Sequence, residues 1–226
     1  MIVLGFDTAT AATAVALLHS TDPGRACERR HDPAPGERPG HSPLLLKLAH
    51  ELLDGAGLRF ADVDRIAVGV GPGGFTGLRI GVATARALAQ AASAELTGVS
   101  TLQALAMAAR PEPGQGVLAV VDARRGEVFV AGWQRAERVL GPLAVAPADV
   151  ASLGVEGLLA VGDGALRFRD DLRAAGCVVP EDHSPQHRVS AEMICELALR
   201  APGGKPSQLV IPDYLRQPDA VRRSKP

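Results

Sequence analysis

Cysteine is scarce in this chain of 226 residues. Cys27, Cys177 and Cys195 make an odd count, and no two stand at the spacing of a metal-binding pair. That excludes a paired-cysteine metal site and fits a reduced, cytoplasmic setting. A charge imbalance is also missing. Lys and Arg number 24 against 25 Asp and Glu, a formal net charge of −1, so the total carries no footprint for nucleic acid. No apolar run is long enough to span a membrane. Met1 to Asp7 has no basic segment ahead of its apolar residues, so it reads as a first strand and not as a leader. Several catalytic signatures are absent: Gly-x-x-x-x-Gly-Lys-Ser/Thr, which excludes the usual phosphate loop, and the Gly-x-Ser-x-Gly elbow. His183 and His187 have the count of a helical His-x-x-x-His pair, but Pro185 lies between them and argues against a helix. What remains is ordinary for a globular chain, 46% apolar and 22% charged, and its length allows one domain or two small lobes.

Glycine is abundant in one place. A β-branched apolar run, Ile66 to Val70, leads into Gly71, Pro72, Gly73, Gly74 and Gly77, and then into an alanine-rich helix, Leu78 to Ala92. A strand, a glycine loop and a helix N-terminus can present backbone N–H groups to an anion or to another protein. A tight turn without any ligand is the alternative. Gly69-x-Gly71-x-x-Gly74 satisfies the local dinucleotide fingerprint, but the next strand ends at Gly98 to Thr101 with no acid to hold a ribose.

The rest of the chain alternates. Ile2–Phe6 and Ala14–Leu18 read as strands, and residues 20–40 as an exposed loop with room for an irregular strand. A helix follows His41, with Ser42 as its cap, Pro43 at the first helical position and Gly57 as its stop. Its leucines Leu44, Leu45, Leu46, Leu48, Leu52 and Leu53, with Ala49, cover roughly 200° of its circumference at 100° per residue. One sheet needs about half of that. The helix over 78–92 shows the same surplus, with only a stripe of Arg79, Arg86 and Gln90 and a single Thr84 as polar relief. The excess predicts an intermolecular contact through Leu45, Leu48, Ala49, Leu52, Arg79, Val82, Ala83 and Arg86. Leu96–Val99 is a strand, and Thr101–Arg110 a helix capped by Ser100 or Thr101. Pro111–Gly116 divides a first lobe, 1–115, from a second, 116–226. Helices are expected over Leu166–Ala175 and Ala191–Arg200, and the tail bearing Arg222, Arg223 and Lys225 reads as solvated.

The second lobe repeats the first. Val117–Asp122 matches Ile2–Asp7, each is followed by a turn and an apolar run, and Leu158–Gly164 echoes Ile66–Gly71. Two strand–Asp–turn–strand units, each followed by a strand–glycine unit, point to duplicated α/β lobes. Asp7 and Asp122 end their strands, where each could hold Mg2+ through water, orient a phosphate, or simply bond local backbone. Thr8, Gly73 and Gly74 complete the candidate cleft.

Gly5-Phe-Asp-Thr-Ala-Thr10, His41-Ser42, Gly71 to Gly81, Gly98 to Leu105, Asp122 to Glu127 and Tyr214-Leu-Arg216 resemble, in order and over nearly the whole chain, the TsaB (YeaZ) family. The resemblance implies an actin/hexokinase-like, ribonuclease H-like duplicated fold with a reduced second lobe. It also implies an accessory subunit without chemistry of its own. Such a subunit pairs with the catalytic TsaD protein, or with itself when alone, and is joined by the ATP-binding TsaE. The assembly transfers threonylcarbamoyl to the adenosine beside the anticodon of tRNA, so tRNA is met indirectly and ATP and Mg2+ belong to the partners. The metal-binding His-x-x-x-His of TsaD falls near Thr101 and Leu105 here, which cannot replace two imidazoles. The competing readings are an independent actin-like kinase and a metal-dependent peptidase.

Overall fold

The computed structural model describes residues 1–21, 26–34, 36–204 and 209–216. Residues 22–25 and 35 of the 20–40 loop lie outside the described residues, as do Arg222, Arg223 and Lys225.

Two sheets share one plan. In the first, β1 (Ile2–Asp7), β2 (Thr13–His19) and β3 (Cys27–His31) form an antiparallel meander. On the other side of β1, β4 (Arg65–Gly71) and β5 (Glu95–Ser100) add in parallel, giving the order β3-β2-β1-β4-β5. In the second, β6 (Val117–Arg124), β7 (Glu127–Gln134) and β8 (Glu137–Val145) repeat the meander, and β9 (Leu159–Val161) lies parallel to β6, in the order β8-β7-β6-β9. A single parallel bridge from Leu159 to Val178 stands where a fifth strand would lie. This is the duplicated ribonuclease H-like unit of the actin/hexokinase-like fold, with a shortened second copy.

Strands buried on both faces are apolar almost throughout, and β1 shows why. Leu4 and Phe6 meet α1 (His41–Gly55) and α2 (Phe75–Ala92) through Leu45, Leu52 and Val82. Val3, from the opposite face, joins the core built by α3 (Thr101–Ala108) and α6 (Ala191–Arg200). That core continues into Val117, Ala119 and Val121 of β6, so one apolar interior runs from sheet to sheet. The outer face of the second sheet is covered by α4 (Asp163–Arg167) and α5 (Arg169–Ala174), with Ala165 and Leu172 against Leu118 and Val120. Although α6 comes late in sequence, it packs on β1. Gly5 makes this close approach possible, since a Cβ there would stand 2.4 Å from Cys195 Sγ. Buried Arg65 ties α6 down, donating to Ala198 O in its last turn and to the Glu95 carboxylate.

Several local expectations are corrected. Ser42 is not a cap: α1 begins at His41, Gly40 occupies the capping position, and no side chain caps it. His41 Nδ1 bonds Thr13 Oγ1 at 2.9 Å, which draws the helix start back to β2. Pro43 then sits in the first turn, where its missing N–H has no intrahelical partner to lose. Ser100 does cap α3, its hydroxyl accepting from Gln103 N at 3.3 Å. The single helix expected over Leu166–Ala175 is two short ones, interrupted at Phe168 (φ −115°, ψ 37°). Strand β8 falls where the sequence announces no element. It is a mostly exposed edge strand, so it lacks clear alternation.

Candidate functional site

Four glycines at intervals of four, Gly69, Gly73, Gly77 and Gly81, fit β4, the loop and α2 against the end of β1 and the turn after it. A Cβ on Gly69 would stand 1.8 Å from Asp7 Oδ2, on Gly73 2.4 Å from Ala9 O, on Gly77 1.9 Å from Thr8 O, and on Gly81 2.4 Å from Thr8 Oγ1. Two hydrogen bonds complete the seam: Gly74 N donates to Ala9 O at 2.7 Å, and Thr8 Oγ1 to Gly77 O at 2.8 Å. The glycine loop is therefore used chiefly for contact with the chain itself. Gly74 is the exception in freedom, since a Cβ there would stand 3.4 Å from Ala9 O, an ordinary contact distance.

Asp7 is buried. Its Oδ1 accepts from Ala9 N at 2.8 Å and its Oδ2 from Thr101 Oγ1 at 2.8 Å. Burial raises its pKa, and these two bonds oppose the rise. Asp122 occupies the equivalent end of β6. Its Oδ1 accepts from Arg124 N at 2.8 Å, and its Oδ2 from Arg124 Nη1 at 3.2 Å and Arg167 Nη1 at 2.8 Å. Asp163, opening α4, accepts from Asp122 N at 3.0 Å. Burial pushes the Asp163 carboxyl up to about 6, helped by the charge of Asp122 and opposed by that N–H.

Between the two strand ends lies a cleft of about 530 Å3. Thr8, His41, Gly74 and Phe75 form one wall, and Asp122, Arg124 and Asp163 the other. Of the residues singled out in the sequence, the structure brings Thr8, Gly74 and Asp122 to this cleft. Asp7 lies beneath Thr8, and Gly73 is packed on Ala9. His41 and Asp163 also line the cleft without having been singled out for it, and Arg167 pairs with Asp122 from α4. Asp163 carried one signal, its place in the Leu158–Gly164 echo of the first glycine unit. Burial lowers the His41 pKa, favouring the neutral ring. Both Asp7 oxygens already accept bonds and Asp122 is neutralised by two guanidinium groups. Among the described residues no group of three or more His, Cys, Asp or Glu is placed to hold a metal ion.

The residues chosen for a partner contact divide. Leu45, Leu48, Ala49, Leu52 and Val82 are buried in the chain's own core, because the first sheet takes the leucine side of α1. Those five leave the outer surface. Arg79 and Ala83 are exposed and Arg86 half-buried, so the outward apolar surface lies on α2, with Ala83, Ala87 and half-buried Ile80. The outer side of α1 is largely charged, with Lys47 beside Glu51 and His50 beside Asp54. No helix among the described residues is long and apolar enough to cross a membrane.

Residues 38–167 match the family model described as TsaD, tRNA N6-adenosine threonylcarbamoyltransferase. The chain is 38% identical over 138 residues to the Escherichia coli tRNA threonylcarbamoyladenosine biosynthesis protein TsaB, a match covering 61% of this chain and 57% of that protein. It is 35% identical over 227 residues to an uncharacterized Mycobacterium tuberculosis protein, covering 96% and 93% of the two. The solved structure of YeaZ from Pseudomonas aeruginosa superposes with a TM-score of 0.74 at 30% identity, over 95% of this chain and 99% of that one. With its duplicated fold, its glycine seam and a likeness that runs from end to end, the chain belongs to the TsaB (YeaZ) family.

Proposed function

We propose that this chain is the non-catalytic subunit of a tRNA threonylcarbamoyladenosine synthesis complex. In this reading it docks a TsaD-like catalytic sibling, with a TsaE-like ATPase joining the pair, and forms a homodimer when alone. ATP, Mg2+ and tRNA are handled by the partners. The name borne by the E. coli relative supports the pathway. The observation that carries the subunit role is the contrast between the two sides of α2. Val82, Ala85 and Ala89 are satisfied by the first sheet, while Arg79, Ala83 and Ala87 remain outward on a helix of small residues that a second helix can approach closely. A contiguous apolar helix surface left uncovered marks an interaction site. A lack of independent chemistry is supported by Thr101 and Leu105, near which the resemblance puts the metal site of TsaD: both are buried, one bonded to Asp7 and the other packed between the sheets.

The test is co-expression with the TsaD-like sibling, followed by size-exclusion chromatography and a tRNA-modification assay. Wild type is expected to co-elute through an interface of roughly 1,600 Å2. Ala83→Arg is expected to stay folded, lose co-elution and lose modification. An Ala83→Arg chain that still co-elutes would remove α2 as the docking face. A wild-type chain that neither binds the sibling nor supports modification would remove the subunit role.

A further inference from the structure

We infer that residues 209–216 brace the cleft, and that Arg216 holds the second sheet at a set angle to the first. Besides Leu215, which packs on the α3 and α6 core, the segment is attached at four points, three of them on the first lobe. Val210 is buried in the core beside α2, and its carbonyl accepts from Arg86 Nε at 3.0 Å and Nη2 at 2.6 Å. Asp213 N donates to Val70 O, near the end of β4, at 2.7 Å. The Tyr214 ring lies 5.0 Å from that of Phe75, and its hydroxyl accepts from Arg79 Nε at 3.1 Å. The Arg79 guanidinium in turn lies 3.8 Å over Phe75, a cation–π contact that fixes the stack.

The fourth attachment is on the other lobe. Arg216 Nη2 donates to Ala123 O at 2.9 Å, and Nη1 to the Glu127 carboxylate. Both acceptors flank the β6–β7 turn. Its residues Arg124 and Arg125 have φ of 64° and 56°, a left-handed conformation that non-glycine residues keep only where their surroundings hold it. Phe75 and Arg124 also line opposite walls of the cleft. The brace therefore runs from one wall to the other, with Leu215 within it packed against the α3 and α6 core that joins the sheets. Two lobes joined at a core and tied again across their opening resist hinge motion. Three stretches distant in sequence, Phe75 to Arg79, Ala123 to Glu127 and Tyr214 to Arg216, meet in this one device.

The experiment measures the distance between spin labels on Cys27, exposed on β3 and away from the α2 docking face, and on α5. Arg173→Cys supplies the second label, and the other two cysteines are buried. Adding Arg216→Ala is expected to lengthen and broaden the interlobe distance. Amide exchange over residues 124–127 is expected to quicken roughly tenfold. Arg216→Lys, which keeps one charge contact and loses the forked geometry, should fall between the two. An Arg216→Ala distance distribution identical to that of the parent overturns the inference, even if exchange in the turn quickens, because the contact would then be local. Should Arg216→Ala fail to fold, Glu127→Ala on the partly exposed turn is read in the same way: a longer, broader distance supports the brace and an unchanged one overturns it.

Discussion

Single atoms decide the sharpest feature of this chain. At Gly77 a methyl group would lie 1.9 Å from a backbone carbonyl, Thr8 O, which cannot swing aside as a side chain can. Gly77→Ala is therefore expected to lower stability by about 1–3 kcal/mol or more, the range for overpacking. Gly74→Ala, with 3.4 Å of clearance and φ of −63°, should cost less than about 1 kcal/mol. Urea unfolding of both variants checks the contrast, and equal losses would mean that the loop serves something other than contact with β1. Asp163 decides a second matter. Its folded pKa of about 6 lies above the ordinary value of 3.8, so the folded chain binds the proton more tightly than the unfolded chain. Its contribution is fully present below pH 3.8 and is lost as pH rises through 6. Asp163→Asn keeps an oxygen for Asp122 N and cannot ionise. It should be more stable than wild type at about pH 7.5, by about 3 kcal/mol, and the difference should shrink as pH falls through 6 and vanish below about pH 3. Urea midpoints across that range are the measurement, and a constant difference would remove Asp163 as the titrating group. Thr8 and Asp122 stand at the cleft where apolar runs give out, which is the feature that marks them in the sequence, while Asp7, marked the same way, is buried on Thr101. His41 reaches the cleft only by long-range folding, which no spacing in the sequence announces, and Asp163 was marked only by the Leu158–Gly164 echo.

At the scale of elements, legibility followed burial. Strands β1, β2, β4, β6 and β7 are apolar because both faces are covered, and helix α6 keeps its apolar side turned to the sheet. Strand β8 is exposed along most of its length and interrupted at Gly141 and Pro142, so neither period was visible. The face of α1 was the costlier miss. Its arc of leucines was wide enough for two contacts, yet the sheet takes Leu45, Leu48, Leu52 and Leu53 and leaves only Leu46 well exposed. An amphipathic count measures how much surface must be covered and not by what. For α2 the same count left Ala83 and Ala87 outside, because alanine on the far side of a helix adds apolar width without adding core. The motif at Tyr214 to Arg216 showed no period at all. Its meaning lies in three attachments to residues far away in the chain, at Arg79, Ala123 and Glu127.

The whole molecule is a duplication in sequence but not two independent halves. The connection from α3 to β6 carries Pro111 and Pro113, and the meander of the first sheet is repeated after it. Yet α6, from the second half, lies on β1 and β2 of the first, Arg65 anchors its final turn, and α3 packs on β6. Val3, Ala16 and Leu18 depend on that cover. Uncovering large apolar side chains costs about 1.5–3 kcal/mol each, and a domain has only about 5–15 kcal/mol in all. Residues 1–115 made alone should therefore show no cooperative urea transition and should bind a hydrophobic dye, although the strands β1 to β5 and helices α1 to α3 are all present. Supplying residues 116–226 in trans should restore a cooperative transition, because it returns α6 and the β6 face together. A fragment 1–115 that unfolds cooperatively near the midpoint of the full chain would show that the first lobe closes its own core, and that the repeat in the sequence marks a folding boundary as well as a topological one.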